Sequence, residues 1–309
     1  MTPRTLVIVN PHSGNGSTGR RWGALEPRVR DALGAVEVER TRGPRDAERL
    51  AREAVRAGIE RVVIAGGDGT VAEVANGLLR AGLGGYAELG LLPMGTGCDF
   101  ARGLGVPHDP EKALAVLRTG SARRVDAGRA SYVGRDGTPR DAWFTNVASF
   151  GVSSATVEIT ARTTKRLGGT FAFALGTVRA LLSHRSQRVT LRVDGETFFD
   201  ERAVLVAVAN GRCFGGGMRI APEARLDDGQ LDVVGVAHTP TWRLIAKLHK
   251  LYRGSHLTDP LVRARQGACI EADAPEGEVP LEMDGEPVGR LPVRIEAVRG
   301  ALAVVGPKA

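Results

Sequence analysis

Aromatic residues are scarce in this chain, 5% of the total, and no nucleic-acid-binding motif accompanies them, so base stacking is poorly supported despite a net charge of +7. Cysteines are few as well. Cys98, Cys213 and Cys269 are odd in number and far apart, which argues against a disulfide framework or a zinc site and for a reducing, cytoplasmic compartment. None of the 6 histidines stands at metal-ligand spacing. Long apolar runs are also missing: TLVIV ends in a turn after residue 9, and LGGTFAFALGTVRALL is interrupted by Arg179. Neither fits a signal peptide or a membrane span, which needs about 20 apolar residues. Membrane contact is therefore expected to be peripheral. A P-loop is absent too, because no Lys-Ser or Lys-Thr pair follows a glycine at the required spacing.

What is present is an ordinary globular composition, 42% hydrophobic and 25% charged over 309 residues, long enough for two domains. The 42 Lys and Arg against 35 Asp and Glu favour anionic partners such as phosphorylated ligands or an anionic membrane surface. The first 125 or so residues alternate short apolar runs with amphipathic stretches. Strands are predicted at 5–9, near 36–41, at RVVIA and at LGLLP, with helices at 19–33, Arg45–Ala57 and Val71–Arg80. This pattern predicts an α/β fold with a parallel sheet. From about Ser131 β-rich segments take over, among them AWFTNVASFG, RVTLRVDG, RAVLVAVANG, LDVVGVA and VRIEAVRGALAVVG, interrupted by helix-like stretches near 160–183 and 240–253. We therefore expect a nucleotide-binding α/β domain over 1–128 and a mostly antiparallel, sandwich-like domain over 129–309. A return of the last residues to the first domain stays open.

Small and polar residues collect at the predicted strand ends. IAGGDGT at 64–70 places two glycines, a carboxylate and a hydroxyl where a strand meets a helix, and backbone N–H groups at such a turn bind anions. Asn10-Pro11 follows the first strand, Thr41 the second, and Pro93-Met94-Gly95-Thr96-Gly97-Cys98-Asp99-Phe100 the LGLLP strand. Asp68 or Asp99 alone would read as a helix cap. Together, beside a phosphate loop, they suit Mg²⁺, which prefers a carboxylate or two with water and phosphate oxygens.

On these motifs the chain resembles a bacterial member of the diacylglycerol kinase catalytic-domain family, lipid kinases related to NAD kinases and sphingosine kinases. The resemblance runs nearly end to end. It includes Gly66-Gly67-Asp68-Gly69-Thr70-Val71-Ala72-Glu73, the segment Asn210-Gly211-Arg212 with Gly215 to Gly217, Ala221 to Asp232, and Leu281-Glu282-Met283-Asp284-Gly285-Glu286-Pro287. It implies transfer of the ATP γ-phosphate to a hydroxyl of diacylglycerol or a related lipid, with Mg²⁺. The nucleotide would be held by Asn10, Thr41, Gly66, Gly67, Asp68, Gly69, Thr70, Glu73 and Thr96. The resemblance also implies Glu286 as the general base, Asp68 and Asp99 as supporting carboxylates, and a structural Mg²⁺ on the Asp228 carboxylate and the carbonyls of Arg225 and Gln230. Taken alone, Asp-Asp-Gly and Asp-Gly are simply hairpin turns.

The chain departs from the family at Cys98, where many relatives carry Asn, and this puts nucleotide affinity and donor choice in question. Two segments are candidates for a membrane surface: Trp242 to Arg253, with Ile245, Leu248, Leu251 and Tyr252 on one helical face, and the basic-ended stretch Thr164 to Arg185. Packing of the first over the second domain is the plainer alternative. A kinase of a soluble acceptor resembling NAD kinase, and a non-catalytic nucleotide- or lipid-binding module, are the competing readings of the whole chain.

Overall fold

The computed structural model describes residues 3–154, 156, 176, 179–182 and 185–308. It divides into two compact units, residues 1–127 with 299–309, and residues 128–298.

In the first unit strands β1 (Thr5–Val9), β2 (Val36–Arg40), β3 (Arg61–Gly66) and β4 (Glu88–Pro93) run in the order β2-β1-β3-β4, every pair parallel. β1 is buried at every position and β3 and β4 at every position after the first, which is the signature of strands covered on both faces. Helices α1 (Ser17–Leu33), α2 (Asp46–Arg56), α3 (Asp68–Arg80), α4 (Asp99–Gly103) and α5 (Pro110–Thr119) connect and follow these strands. α2 buries Ala47, Leu50, Ala51 and Val55, spaced as one helical face, and crosses α3 where Gly77 meets the Glu48 carbonyl. α3 starts earlier than the hydrophobic pattern indicates. Gly67 in extended conformation is its N-cap, so Asp68, Gly69 and Thr70 form its first turn rather than a loop.

Among the described residues the second unit is built from antiparallel pairs. β5 (Ser121–Gly134) enters it and pairs with β6 (Pro139–Phe144). β7 (Val147–Gly151), β8 (Gln187–Val193), β9 (Glu196–Ala209), β10 (Leu231–Ala237), β11 (Val262–Gly267), β12 (Cys269–Asp273), β13 (Pro280–Met283) and β14 (Glu286–Gly306) follow. The pairings β14-β13-β7-β9-β8-β12-β14 close into a circuit without a free edge. One alternate face of these strands gives a shared core that includes Phe144, Phe150, Leu191, Phe199, Ile270, Leu281 and Ile295. Each such side chain contributes roughly 1.5–3 kcal/mol on burial. Val147, Val204, Leu205, Ala207 and Ala209 build a second cluster, against which helix α6 (Thr241–Arg253) lays Leu244, Ile245, Leu248 and Leu251.

The apolar face of α6 is thus turned to its own unit's core, while Trp242, Arg243, Tyr252 and Arg253 are exposed. Of the other basic-ended stretch, most of 164–185 lies outside the described residues. The segment 142–151, read from sequence as one strand, is two: β6 ends at Phe144 and β7 begins at Val147, because the backbone of the intervening residues is engaged elsewhere. Among the described residues no helix is long and apolar enough to cross a membrane.

The α2–α3 crossing makes a direct test possible. A Cβ on Gly77 would stand 2.3 Å from the Glu48 carbonyl oxygen, whereas one on Gly23, exposed in α1, would meet nothing within 4 Å. Gly77→Ala is expected to lower unfolding free energy by about 1–3 kcal/mol, and Gly23→Ala to raise it by about 0.8–1 kcal/mol. Denaturant titration checks both; a neutral Gly77→Ala would mean the helices are not in contact there.

Candidate active site

In the first unit two turns press together. A Cβ on Gly95 would come within 2.4 Å of the Gly67 Cα, so only glycine permits this approach. Asp68 then ties the turns: its Oδ2 accepts from the Asp99 N–H at 3.1 Å and its Oδ1 from the Phe100 N–H at 3.1 Å. The Asp68 carboxylate therefore caps α4, not its own helix. The N-cap of α3, Gly67, offers no side chain to the first-turn N–H groups behind it. A Cβ on Gly69 would meet nothing within 4 Å, so the approach to that helix terminus is clear. Such a terminus attracts a phosphate through its N–H groups and its dipole.

Around this turn Asn10 donates from Nδ2 to Thr70 Oγ1 at 2.9 Å and accepts the His12 N–H on Oδ1 at 3.0 Å. Thr41 is buried at the end of β2, with its N–H on the Val9 carbonyl at 2.9 Å. Glu73 reaches from α3 to accept the Ala47 N–H at 3.2 Å, which caps α2. Thr96 is exposed, and Asp99 is 3% exposed with Arg102 on its Oδ1. Gly66, Gly67, Asp68, Gly69, Thr70, Thr96 and Asp99 are thus on the two touching turns, and Asn10, just past β1, reaches the first of them through Thr70. Thr41 and Glu73 act on neighbouring element ends.

Cys98 has φ 50°, in the left-handed region where Asn is enriched several-fold over most residues. Burial pushes the Cys98 thiol up to about 12, with Asp68 adding repulsion, so it does not supply a thiolate at neutral pH.

In the second unit the Asp284-Gly285 turn joins β13 to β14 with both residues at positive φ, the pattern of a two-residue hairpin, and Glu286 is the first residue beyond it. The Asp284 carboxylate accepts the N–H groups of Thr145 (2.8 Å), Asn146 (3.0 Å) and Val147 (3.0 Å) and the Thr145 hydroxyl (3.1 Å). Burial still pushes it up to about 6 against those donors. Glu286 itself is exposed.

The sequence reading missed Glu282. It is 2% exposed, its Oε1 accepts from the Ser149 hydroxyl and its Oε2 from the Gly285 N–H at 2.9 Å. Burial pushes it up to about 7; Asp284 and Glu286 add repulsion, and the two donors oppose the rise. The available signal was alternation: flanked by Leu281 and Met283, which face the core, Glu282 must face the other side of β13.

Also missed was a cavity of about 120 Å³ between β9, β10 and α6, bordered by Val204, Leu205, Leu244, Leu248, Leu251 and Ile220 among others. His256, donating from Nε2 to the Ile220 carbonyl at 3.0 Å, and the ion pair of Lys247 with Asp259 at 2.5 Å border it as well.

For the metal expected at Arg225, Asp228 and Gln230, the local donors are carboxylate and carbonyl oxygens, which suit Mg²⁺. Asp228 Oδ1 accepts the Gln230 N–H at 3.0 Å, folding both residues into one turn. Burial pushes neighbouring Asp232 up to about 6, and Asp228 and Glu223 raise it further by repulsion, so the field here is negative. These residues fit a divalent cation. Among the described residues no group of three or more His, Cys, Asp or Glu gathers into a metal site.

Residues 4–130 match the model of the diacylglycerol kinase catalytic domain, and residues 146–306 that of the YegS C-terminal NAD kinase beta sandwich-like domain. The chain belongs to the diacylglycerol kinase catalytic-domain family. A Chromohalobacter salexigens protein named a probable lipid kinase, YegS-like, is 35% identical over 91% of this chain and 89% of its own length. A Pseudomonas aeruginosa protein of the same name is 36% identical over 84% and 80%. Among solved structures, a diacylglycerol kinase of Bacillus anthracis superposes with a TM-score of 0.74 at 25% identity, covering 98% of this chain and 97% of its own. An Archaeoglobus fulgidus NAD kinase solved with ATP shares the fold, at a TM-score of 0.53 and 15% identity over 98% and 94% of the two chains. The family member described here is thus a two-domain α/β protein with a β-rich C-terminal domain.

The buried carboxyl of Glu282 predicts a pH signature. Its value in the folded protein, about 7, lies above its ordinary 4.5, so the folded state holds the proton more tightly than the unfolded chain and stability falls as pH rises between those values. Glu282→Gln removes that penalty, since an amide can still accept from Gly285 and donate to Ser149. Relative to wild type, the variant should gain on the order of 2 kcal/mol between pH 4.5 and pH 8. Denaturant titrations across that range check this, and identical pH slopes in the two proteins would refute it.

Proposed function

We propose that the protein is an ATP-dependent lipid kinase that transfers the γ-phosphate to a hydroxyl of diacylglycerol or a related lipid. The observation that carries the lipid half of this reading is the apolar cavity under α6, in the same unit as the Asp-Gly-Glu turn. An acyl chain gains about 0.8 kcal/mol for each methylene it buries there. The first unit is the nucleotide-binding domain in this reading, and the second, from residue 128, binds the lipid.

The α3 N-terminus, approached over Gly69, receives phosphate oxygens on its N–H groups. Asn10 and Thr70, joined by a hydrogen bond, fix the wall of that turn. Mg²⁺, when bound, neutralises phosphate charge, with Asp68 and Asp99 as the carboxylates closest in sequence to the phosphate turn. A second ion would be held by Asp228 with the carbonyls of Arg225 and Gln230, a structural role. Glu286 accepts the proton of the attacking hydroxyl. It stands exposed as the first residue beyond the two-residue turn, and Asp284 and Glu282 fix that turn from behind. Because phosphoryl transfer is mostly positioning and charge neutralisation, one aimed acceptor suffices on the chain's side.

The enzyme is proposed to work in the cytoplasm, meeting its substrate peripherally at an anionic membrane surface, in phospholipid metabolism. The net charge of +7 and the exposed Trp242, Arg243, Tyr252 and Arg253 on α6 support such docking.

Transfer of ³²P from labelled ATP into organic-extractable product, with Mg²⁺ and a mixed-lipid extract, tests the activity. Glu286→Gln should lower kcat by at least about 10²-fold while ATP binding persists; unchanged turnover would remove Glu286 as the base, and no labelled lipid from wild type would remove the lipid acceptor. For the structural ion, Asp228→Ala should abolish the rise in Tm that Mg²⁺ produces in wild type. An equal Mg²⁺ response in both proteins excludes that site.

A further inference from the structure

Ser153 borders the apolar cavity, and its Oγ lies 2.8 Å from Ser149 Oγ. Ser149 also reaches Glu282 Oε1. Strand register produces this chain: Ser149 on β7 pairs with Glu282 on β13 and with Ala207 on β9, and all lie on the face opposite Phe150, Leu281 and Val206, which enter the shared core. A line of polar atoms therefore runs from the cavity wall to the carboxyl that holds the Gly285 N–H, next to Glu286.

A serine hydroxyl has one proton to donate. The structure has Ser149 donating to Ser153; when Glu282 is ionised, Ser149 gives its one proton to Oε1 instead, and Ser153 must turn to donate in the bond between the serines. Ser153 then offers the cavity only lone pairs, and a group bound against it must bring a donor. When Glu282 is protonated, the proton sits on Oε1, because Oε2 already accepts from Gly285. Glu282 then donates to Ser149, Ser149 to Ser153, and the Ser153 proton is released toward the cavity. One buried charge thus sets the polarity of the wall.

We propose that Ser153, Ser149 and Glu282 form a hydroxyl-recognition element of the cavity, selecting an amphiphile that carries an alcohol group beside its apolar chain when Glu282 is ionised. The inference rests on the lipid reading of the cavity and adds which residues read the lipid's alcohol group and which charge sets that reading. Asp284 and Glu286 are the acidic groups whose charge opposes ionisation of Glu282, and burial brings its titration near neutrality. The other titratable groups on the cavity wall are Lys250, the paired Lys247 and Asp259, and His256, which burial shifts toward its neutral form.

The test is competition of 1-tetradecanol and tetradecyl methyl ether against a fluorescent fatty-acid probe bound to the intact protein, at pH 8.5 and pH 5.5. At pH 8.5 the alcohol should bind roughly tenfold more tightly than the ether, the effect of about one hydrogen bond. At pH 5.5 the ratio should fall toward one, since the outward Ser153 proton serves an ether as well as an alcohol. Ser153→Ala should lose this change of ratio with pH while still binding the ether. Ser149→Ala, which cuts the chain without touching the cavity wall, and Glu282→Gln should each make the ratio independent of pH. If alcohol and ether bind wild type equally at pH 8.5, the recognition element is wrong and the lipid cavity stands. If neither displaces the probe, the cavity reading falls and this proposal with it. A pH-dependent preference that survives in Ser153→Ala also overturns it.

Discussion

The carboxylate of Asp284 accepts three consecutive backbone N–H groups, those of Thr145, Asn146 and Val147, and the Thr145 hydroxyl besides. It ends β6 and starts β7, because the N–H groups that would extend one strand through residues 145–147 are already engaged. It anchors the β13–β14 hairpin at its tip, and so sets the direction in which the next residue, Glu286, leaves the turn. Replacing this acceptor strands the N–H groups of the buried residues Thr145, Asn146 and Val147, which costs about 1–3 kcal/mol for each one.

The first unit uses a carboxylate in the same manner. Asp68 draws two N–H groups of α4 onto its oxygens, and the glycines at 67 and 95 allow the turns to touch. Glu73 does likewise for α2. In both units acidic residues beside the proposed chemistry spend hydrogen-bonding capacity on backbone, which holds the loops without large side chains. A cradle built from glycine and backbone N–H groups leaves room for phosphate and presents partial positive charge, and the acids keep it from collapsing.

Much of this was legible in the residues. The alternation of apolar runs and amphipathic stretches located β1 to β4 and the intervening helices within a few positions, since strands covered on both faces must be apolar throughout. The glycine-rich strand ends marked the two turns that touch, because only glycine permits the approach of Gly67 and Gly95. Local pattern erred where a distant partner intervened. Residues 142–151 read as one strand, yet Asp284, far along the chain, divides them. α3 began three residues early because Gly67 caps it. Glu282 looked like one more polar strand residue.

What the sequence determined by itself was the class of fold, the two-unit organisation and the residue types gathered at the strand ends, because periodicity and turn chemistry are local properties of a chain. Tertiary structure alone decided which face of β13 Glu282 occupies, what stands opposite it, and where α6 turns its apolar side. Those outcomes depend on pairing between strands more than a hundred residues apart, as with Ser149 and Glu282. Burial and two neighbouring acids lift this carboxyl to about 7 against the pull of its two donors, and no short stretch of sequence contains that meeting.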